Sequence, residues 1–377
     1  MNKIPKWLDA GHLQTIDERI GSAVQCGLFA SGSARRLRLA ARLLNGEMVS
    51  GEALAADLGL SRAAVHKQVE TLRSSGWAIE SRPGTGYQVN RIPDSLEPGA
   101  ALPWVLAQEE PVAPGAGGFL GLPYHFRRKA FSSNDLLRAE AEKGAPEGAL
   151  VVVEEQSAGR GRLGRHWVSR PGDGLTFSLL LRPRMQLSQL GLLPLAAALG
   201  IAWALARDCG LGRRVAIKWP NDVLVDGGKV CGILAEASVD MDAVHWLVAG
   251  IGVNVNGHPA AYMPKDGVIP AREAAVSLEE VLGQHVPRGP LLGMMLATLR
   301  AAFQLAADDG RALIREYGSF DFLRGALVQV QRGVGGEPPL RGMVEGVAHD
   351  GSLLVRDATS SVIPVSAGDV YRVRPTL

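Results

Sequence analysis

Residues 159–165 read Gly-Arg-Gly-Arg-Leu-Gly-Arg, and residues 218–222 read Lys-Trp-Pro-Asn-Asp. Glycine has no Cβ, so a glycine-rich backbone can pass close to a ligand. Arginine side chains offer planar, permanently charged forks to phosphate or carboxylate groups. Each motif follows an apolar run with the composition of a strand. Together the two motifs predict a phosphate-handling active site in an α/β or α+β domain, with a mixed sheet and helices on one side.

The glycine–arginine stretch also matches the Gly-x-Gly-x-x-Gly fingerprint of dinucleotide-binding folds. That fingerprint needs the third glycine to lead directly into a helix whose N-terminus faces the pyrophosphate. Residues 166–174 instead contain Pro171, Gly172 and Gly174, and a second strand-like run follows. A Walker-type phosphate loop is excluded because no Gly-Lys-Ser/Thr occurs. We therefore expect side chains and backbone amides to bind the phosphate, and a nicotinamide-dependent dehydrogenase is a distant alternative.

Composition limits the class of protein. A chain of 377 residues is too long for one ordinary core, so two or three domains are expected. The formal net charge is only +2, so any basic surface must be local. Cys26, Cys209 and Cys231 lie far apart and lack the paired spacing of a disulfide framework or a zinc site, which suits the cytoplasm. The uncharged run 190–206 contains Pro194 and is short for a membrane span, so we expect a buried helix and no membrane association.

The segment after residue 35 has the pattern of a DNA-binding module. Residues 51–58 and 62–74 predict two short helices separated by Gly59, the arrangement of a helix-turn-helix. Strand-like runs at 77–81 and 87–89 flank a glycine-rich turn and predict a hairpin, or wing. The second helix exposes basic and hydrogen-bonding side chains opposite its apolar stripe. A helical cap or dimerisation module that does not contact DNA is the alternative.

Five segments follow from these patterns. They are an N-terminal extension (1–34), a winged helix-turn-helix (35–90), a semi-rigid Pro/Gly-rich linker (91–122), a catalytic domain (123–322) and a C-terminal all-β domain (323–377). In the catalytic domain, strands are expected at 149–154, 175–181, 215–218, 229–236 and 246–255, with helices at 134–143, 190–207 and 288–306. Short strands at 328–330, 343–347, 352–355 and 362–365, with a turn at 349–351, predict a small SH3-like barrel at the C-terminus.

The ordered set of motifs resembles the biotin protein ligases. The set comprises Ser132-Ser133-Asn134, residues 156–165, 218–222, 229–236 and 250–254. With the N-terminal module, the chain is similar to the bifunctional type, a ligase that also represses biotin operons. The resemblance covers about 35–90 and 123–377, although the C-terminal barrel matches only in outline. Ser133 stands where the family usually has threonine, which preserves the hydroxyl.

The resemblance implies two-step chemistry. ATP activates biotin as biotinyl-5'-AMP with release of pyrophosphate, and the biotinyl group then passes to one lysine of a biotin carboxyl carrier protein domain. It implies that Lys218 and Arg162 are catalytic and stabilise charge on the phosphate. The implied biotin- and adenylate-binding residues are Ser132, Ser133, Asn134, Gln156, Gly159, Arg160, Gly161, Arg162, Trp167 and Lys218. Arg165 is a weaker phosphate candidate, and Asp222 is a candidate ligand for the Mg²⁺ that accompanies ATP; no permanently bound metal is expected.

The DNA-binding prediction is a separate hypothesis. Arg62, Lys67 and Arg82 are the expected DNA contacts, and a homodimer is expected to read palindromic operator DNA through paired recognition helices. Two alternatives to a ligase–repressor stay open: a regulator that senses a small molecule without catalysis, and a lipoate or octanoate ligase on the same scaffold. The arginine-rich loop favours biotin.

Overall fold

The computed structural model describes residues 31–44, 46–107, 120–240, 243–262, 274–331 and 338–372, together with residue 20. The chain divides into two compact units. The first comprises Met1–Phe126, Gly148–Val152 and Pro287–Ala297, and the second comprises Arg127–Glu147, Val153–Val286 and Thr298–Leu377. The extension predicted for 1–34 lies almost entirely outside the described residues.

The N-terminal module of the first unit is a helix-turn-helix, as predicted. Its elements are α1 (Ser31–Leu43), α2 (Gly51–Leu58), α3 (Arg62–Ser74), β1 (Ala78–Arg82) and β2 (Gly86–Arg91). Ser50 caps α2 by accepting a hydrogen bond from the Ala53 amide, and Ser61 caps α3 by accepting one from Ala64. Gly59 ends α2 with a positive φ of 60°, a conformation that glycine adopts without strain.

An antiparallel hairpin completes this module. Strands β1 and β2 pair, and Val49 exchanges two backbone hydrogen bonds of 2.9 Å with Tyr87 on β2. Gly86 has no room for a side chain, because an ideal Cβ would lie 2.0 Å from the Val49 carbonyl oxygen. The hairpin therefore lies where the sequence predicted a wing, and it is anchored to the segment that precedes α2.

The predicted linker contains a helix, so the expectation of a semi-rigid connection is wrong for that part. Helix α4 covers Pro98–Leu106 and buries most of its side chains, including Trp104. Proline is favourable in the first turn of a helix, and the apolar residues after Pro98 supply a surface to bury. The proline-rich composition predicts a linker, whereas Pro98 begins a helix. Residues 108–119 lie outside the described part of the chain.

The catalytic domain is built on a seven-stranded sheet with the strand order β3-β4-β5-β9-β8-β7-β6. The strands are β3 (Tyr124–Ala130), β4 (Leu150–Gln156), β5 (Gly174–Leu181), β6 (Val215–Lys218), β7 (Asp222–Val225), β8 (Gly228–Val239) and β9 (Val244–Asn254). Hydrogen bonds from Leu150 to Pro123 and from Ser157 to Ala130 make β3 and β4 parallel. The neighbouring pairs β5–β9, β9–β8, β8–β7 and β7–β6 are antiparallel. The predicted mixed sheet is confirmed.

Helices lie between and after these strands along the chain. They are α5 (Ser133–Glu142), α6 (Leu192–Trp203), α7 (Leu278–Leu282), α8 (Arg288–Asp308) and α9 (Gly310–Gly318). Helix α5 contacts β5 and β9, and α6 contacts β6, β7 and β8. The segments Leu187–Asp208 and Arg288–Asp308 are long and apolar enough to cross a membrane by length and composition alone, but 72% of the first is buried inside the protein. That burial matches the core helix predicted for 190–206.

The C-terminal module is an antiparallel sheet with the strand order β13-β12-β11-β10-β14. Its strands are β10 (Leu327–Gln331), β11 (Leu340–Val347), β12 (Leu353–Arg356), β13 (Val362–Val365) and β14 (Asp369–Arg372). A turn at 349–350 joins β11 to β12, as predicted. Within the described residues, no pairing joins β13 to β14, so the sheet is open there and the SH3-like barrel stays a prediction.

Candidate active site

One cavity of about 570 Å³ in the second unit gathers most of the predicted site residues. Its lining includes Ser132, Ser133, Asn134, Gln156, Arg160, Gly161, Arg162, Arg165, Trp167, Lys218 and Asp222. The glycine–arginine stretch and the lysine motif, which are far apart in sequence, therefore face the same space. A shared phosphate site requires the two motifs to meet in this way, as the sequence predicts.

The glycine–arginine stretch forms a short hairpin loop. The Trp167 amide donates to the Gly159 carbonyl at 2.9 Å, and the Gly161 amide donates to the Arg165 carbonyl at 2.7 Å. A single turn, Arg162–Gly164, forms the tip of the loop. Gly159 does not line the cavity; it is buried at the base, where an ideal Cβ would lie 2.3 Å from the Trp167 carbonyl oxygen. The short turn and the extended backbone after it confirm that this is not a dinucleotide fingerprint.

Trp167 lies on a floor of two glycines. Gly232 on β8 is paired with Gly252 on β9. An ideal Cβ on Gly252 would lie 2.3 Å from Cε2 of Trp167, and one on Gly232 would lie 3.1 Å from Cζ3. The ammonium group of Lys229 lies 5.9 Å from the centroid of the indole ring. These two glycines of strands β8 and β9 thus make room for an aromatic ring in the cavity. Their sequence context alone is typical of ordinary core strands.

The serine–asparagine motif begins helix α5 at the edge of the cavity. The Ser132 hydroxyl makes no capping hydrogen bond, so it is available to a ligand. The Ser133 amide donates to Oε1 of Gln156 at 2.7 Å, which holds the glutamine side chain against the motif. Ser178, which the sequence analysis missed, places its hydroxyl 2.8 Å from Oγ of Ser133.

Asn134 differs from the other members of this motif, because both the nitrogen and the oxygen of its side-chain amide form hydrogen bonds with protein atoms. Its Nδ2 donates to Oε2 of Glu236 at 2.6 Å and to the Leu234 carbonyl at 3.2 Å. Its Oδ1 lies 2.6 Å from the Ser178 hydroxyl. The direct hydrogen bond to biotin predicted for Asn134 is therefore not favoured by this arrangement, in which the amide connects helix α5 to strands β5 and β8.

Arg160 is likewise bound to protein groups. Its Nη2 lies 2.6 Å from Oδ1 of Asp135 and 3.5 Å from Oε1 of Glu236. Asp135 also accepts from Arg138 at 3.1 Å. The arginine side chain thus connects the loop to helix α5 and strand β8 while it lines the cavity, and its role in binding the adenylate stays a prediction.

Arg162 and Lys218 are two cations that line the cavity and come from separate segments. Burial lowers the pKa of the Arg162 guanidinium, and the nearby Asp222 carboxylate opposes that shift. Asp222 is in turn the cross-strand partner of Lys218 in the β6–β7 hairpin. Arginine remains charged at neutral pH despite such a shift. Both positive charges therefore face the same cavity, and Asp222 is related to each of them.

Arg165 forms an ion pair with Asp369 of strand β14. Asp369 and Tyr371 also line the cavity, and the Tyr371 hydroxyl donates to Asp369 at 3.2 Å. The weaker prediction of Arg165 as a phosphate ligand therefore needs modification, because a carboxylate already neutralises its charge. The sequence analysis assigned no site residue near 366–370, although the resemblance to the family extends there.

Asp222 does not fit a role as a magnesium ligand. Its Oδ1 lies 2.7 Å from the ammonium group of Lys229, which strand β8 contributes. Throughout the described ranges, no group of three or more His, Cys, Asp or Glu side chains could hold a metal ion. Magnesium that enters with ATP is commonly held by one or two carboxylates together with substrate phosphates. Here the available carboxylate is already paired, so we derive no step through a protein-bound metal.

The three predicted DNA contacts lie on the N-terminal module, and all are exposed. Arg62 pairs with Glu52 at 2.5 Å, and Arg82 pairs with Glu80 at 2.7 Å. These exposed pairs are weak enough for phosphates to displace them. Lys67 is exposed on α3, two residues before the buried Val69. The basic face predicted for the recognition helix is therefore accessible.

Comparison with known proteins gives two family matches. A model of the biotin/lipoate A/B protein ligase family matches residues 130–254, and a helix-turn-helix domain model matches residues 35–88. The first covers the loop and lysine motifs of the cavity, and the second covers the N-terminal helices. Both matched ranges thus coincide with the parts of the chain that carry the predicted chemistry.

Individual relatives agree with these matches. The chain is 33% identical over 250 residues to the bifunctional ligase/repressor BirA of Bacillus subtilis (strain 168), covering 66% of this chain and 72% of that protein. It is 30% identical over 322 residues to the BirA protein of Escherichia coli (strain K12), covering 85% and 91%. The biotin protein ligase from Aquifex aeolicus in complex with biotin and ATP matches with 26% identity and a TM-score of 0.54, covering 66% of this chain and 98% of that one.

Proposed function

The chain belongs to the biotin protein ligase family, in the group of bifunctional ligase/repressor proteins, and we propose that it activates biotin with ATP and transfers it to a carrier protein. The observation that carries this proposal is that Arg162 and Lys218 line one cavity. A carboxylate that attacks a triphosphate brings anions together, so preorganised cations at the reaction centre lower the barrier.

In the first step, a carboxylate oxygen of biotin attacks the α-phosphorus of ATP. The bond to the bridging oxygen of the β-phosphate breaks, and pyrophosphate leaves with that electron pair. Arg162 and Lys218 stabilise the charge on the α-phosphate oxygens as the transition state forms. Arg162 comes from a loop tip and Lys218 from the end of a strand, so one cation is fixed by the sheet while the other closes over the ligand.

In the second step, the amine of a carrier lysine attacks the acyl carbon of biotinyl-5'-AMP. An amide bond forms, AMP leaves, and the amine loses a proton. The same two cations stabilise the leaving phosphate. The acceptor we propose is a biotin carboxyl carrier domain. A relative from Paracoccus denitrificans, which is 37% identical over 244 residues, is a biotin--[acetyl-CoA-carboxylase] ligase.

The biotin ring would bind in the same cavity. Ser132, Ser133 and Gln156 line it with polar side chains, and Trp167 supplies an apolar surface. The paired glycines under Trp167 keep the floor flat. A ring system that carries polar groups on one edge and apolar atoms on its faces suits such a lining.

The helix-turn-helix module adds a regulatory function. We propose that the protein represses transcription as a homodimer bound to operator DNA, and that it acts in the cytoplasm. The exposed cations Arg62, Lys67 and Arg82 supply contacts to phosphates, which position a recognition helix on the duplex. Biotinyl-5'-AMP held in the second unit is the proposed signal for DNA binding.

A labelling experiment tests the catalytic proposal. The purified protein would be mixed with ATP, Mg²⁺, biotin and a biotin carboxyl carrier domain, and the product would be detected with streptavidin. Labelling that requires ATP and that excess lipoate or octanoate does not suppress supports a biotin ligase. Transfer of lipoate would support the alternative acyl ligase, and absence of any transfer with intact ligand binding would support a pure sensor.

A further inference from the structure

Glu236 and Asp135 form an acidic clasp around the side chain of Arg160. Glu236 projects from β8, and Asp135 lies in the first turn of α5. They contact the same guanidinium nitrogen, at 3.5 Å and 2.6 Å respectively. Arg160 lies at the base of the loop, between the two backbone hydrogen bonds that close it. These bonds join Gly159 to Trp167 and Gly161 to Arg165.

The clasp is also connected to the serine–asparagine motif. Oε2 of Glu236 accepts from Asn134 at 2.6 Å, while Oε1 faces Arg160. One carboxylate therefore contacts both the arginine loop and the motif that faces the proposed biotin ring. Gly250 permits this contact, because an ideal Cβ there would lie 2.1 Å from Oδ1 of Asn134.

We propose that Glu236, with Asp135, is a positioning residue that acts through Arg160 to hold the base of the loop and to place Arg162 over the adenylate. This inference rests on the proposed ligase function. Glu236 does not line the cavity, so its effect reaches the ligand only through Arg160 and Asn134. A loop fixed at its base and free at its tip retains a reactive adenylate without blocking entry of biotin.

The expected effect of breaking the clasp is on ligand retention rather than on folding. Ion pairs that water can still reach contribute little to the free energy of unfolding, and Glu236 and Asp135 are only partly buried, so Glu236→Gln should shift Tm by less than about 3 °C. Losing one charge-assisted contact at the loop base should raise the KM for biotin and the rate of biotinyl-5'-AMP release each by about tenfold. The value of kcat with saturating biotin should change much less.

Limited trypsin digestion gives a second readout that requires no activity. Arg160, Arg162 and Arg165 are all potential cleavage positions in the loop. In Glu236→Gln and Asp135→Asn, cleavage in this loop should be several-fold faster than in the wild-type protein without ligand. The matched control is Arg138→Ala, which removes the other ion pair of Asp135 on the same helix and leaves the clasp intact.

The experiment compares wild type, Glu236→Gln, Arg160→Ala, the double variant and the control in both assays. We expect the double variant to change biotin KM, adenylate release and loop cleavage no more than Arg160→Ala does, because both substitutions remove the same ion pair. Additive losses, or a Glu236→Gln variant with wild-type biotin KM, adenylate release and loop cleavage, would overturn the clasp. A wild-type protein that forms no biotinyl-5'-AMP would instead defeat the ligase proposal, and the digestion would still decide whether the clasp exists.

Discussion

Gly252 lies directly opposite Gly232 across strands β9 and β8, and the indole ring of Trp167 covers both. The two glycines differ in how closely the ring approaches. The ideal Cβ position of Gly252 is 2.3 Å from Trp167, which is shorter than any real contact, whereas that of Gly232 is 3.1 Å away. The pair therefore offers a substitution and its matched control within one small surface.

We predict that Gly252→Ala displaces the Trp167 ring and weakens biotin binding by at least about tenfold, because a clash of this kind costs on the order of 1–3 kcal/mol. Gly232→Ala should have a much smaller effect. Calorimetric titration with biotin would measure both. Equal affinities for the two variants would show that the position of the indole does not control the ligand.

The pair formed by Arg165 and Asp369 leads to a prediction about the C-terminal strand. If Arg165 acts mainly by holding strand β14 next to the loop, Arg165→Ala and Asp369→Asn should slow adenylate formation to a similar extent, about three- to tenfold. The double variant should be no slower than either single variant. A far larger loss in Arg165→Ala than in Asp369→Asn would restore Arg165 as a direct phosphate ligand.

Two cysteines are predicted to be unreactive in the folded protein. Burial raises the pKa of the Cys209 thiol to about 12, and burial raises the pKa of Cys231 further. Only the thiolate is nucleophilic, so alkylation at pH 8 should be slow at both positions until the protein unfolds. Mass spectrometry after brief iodoacetamide treatment, with and without urea, would measure this. Rapid native labelling of Cys231 would contradict its buried position on β8.

Lys67 provides the clearest test of the DNA-binding face. It is exposed on α3 and, unlike Arg62 and Arg82, forms no ion pair among the described residues. We predict that Lys67→Ala weakens operator binding for all sequences and lowers the slope of log K against log salt by about one. Lys143→Ala, at the residue that follows helix α5, is the control. An unchanged salt slope would remove Lys67 from the interface.

The sequence predicted the strands that carry the chemistry better than the contacts between them. Strand 215–218 was predicted with its observed bounds, because an apolar run ends there at a lysine. Strand β7 was missed, since it is only four residues long and begins inside the polar end of the lysine motif. Helix α4 was missed because its prolines resembled a linker. These errors come from local composition that tertiary packing overrides.

The cavity was predicted in outline, and its internal pairings were not. Periodicity and motif spacing indicate which residues lie at strand ends, but they contain no information about partners distant in sequence. Glu236, Asp369 and Lys229 each neutralise a predicted site residue, and each comes from another part of the chain. The prediction therefore gave Arg160, Arg165 and Asp222 separate ligand roles, whereas in the structure each pairs with a protein group.

The central claim is that Arg162 and Lys218 act on one phosphate, and single-turnover formation of biotinyl-5'-AMP tests it most directly. With biotin saturating, Lys218→Ala should lower the rate by about 10²- to 10³-fold while biotin affinity stays within a few-fold of wild type. Arg162→Ala should show a comparable loss, and the double variant should lose less than the product of the two. Wild-type rates in Lys218→Ala, or strictly multiplicative losses in the double variant, would contradict the account.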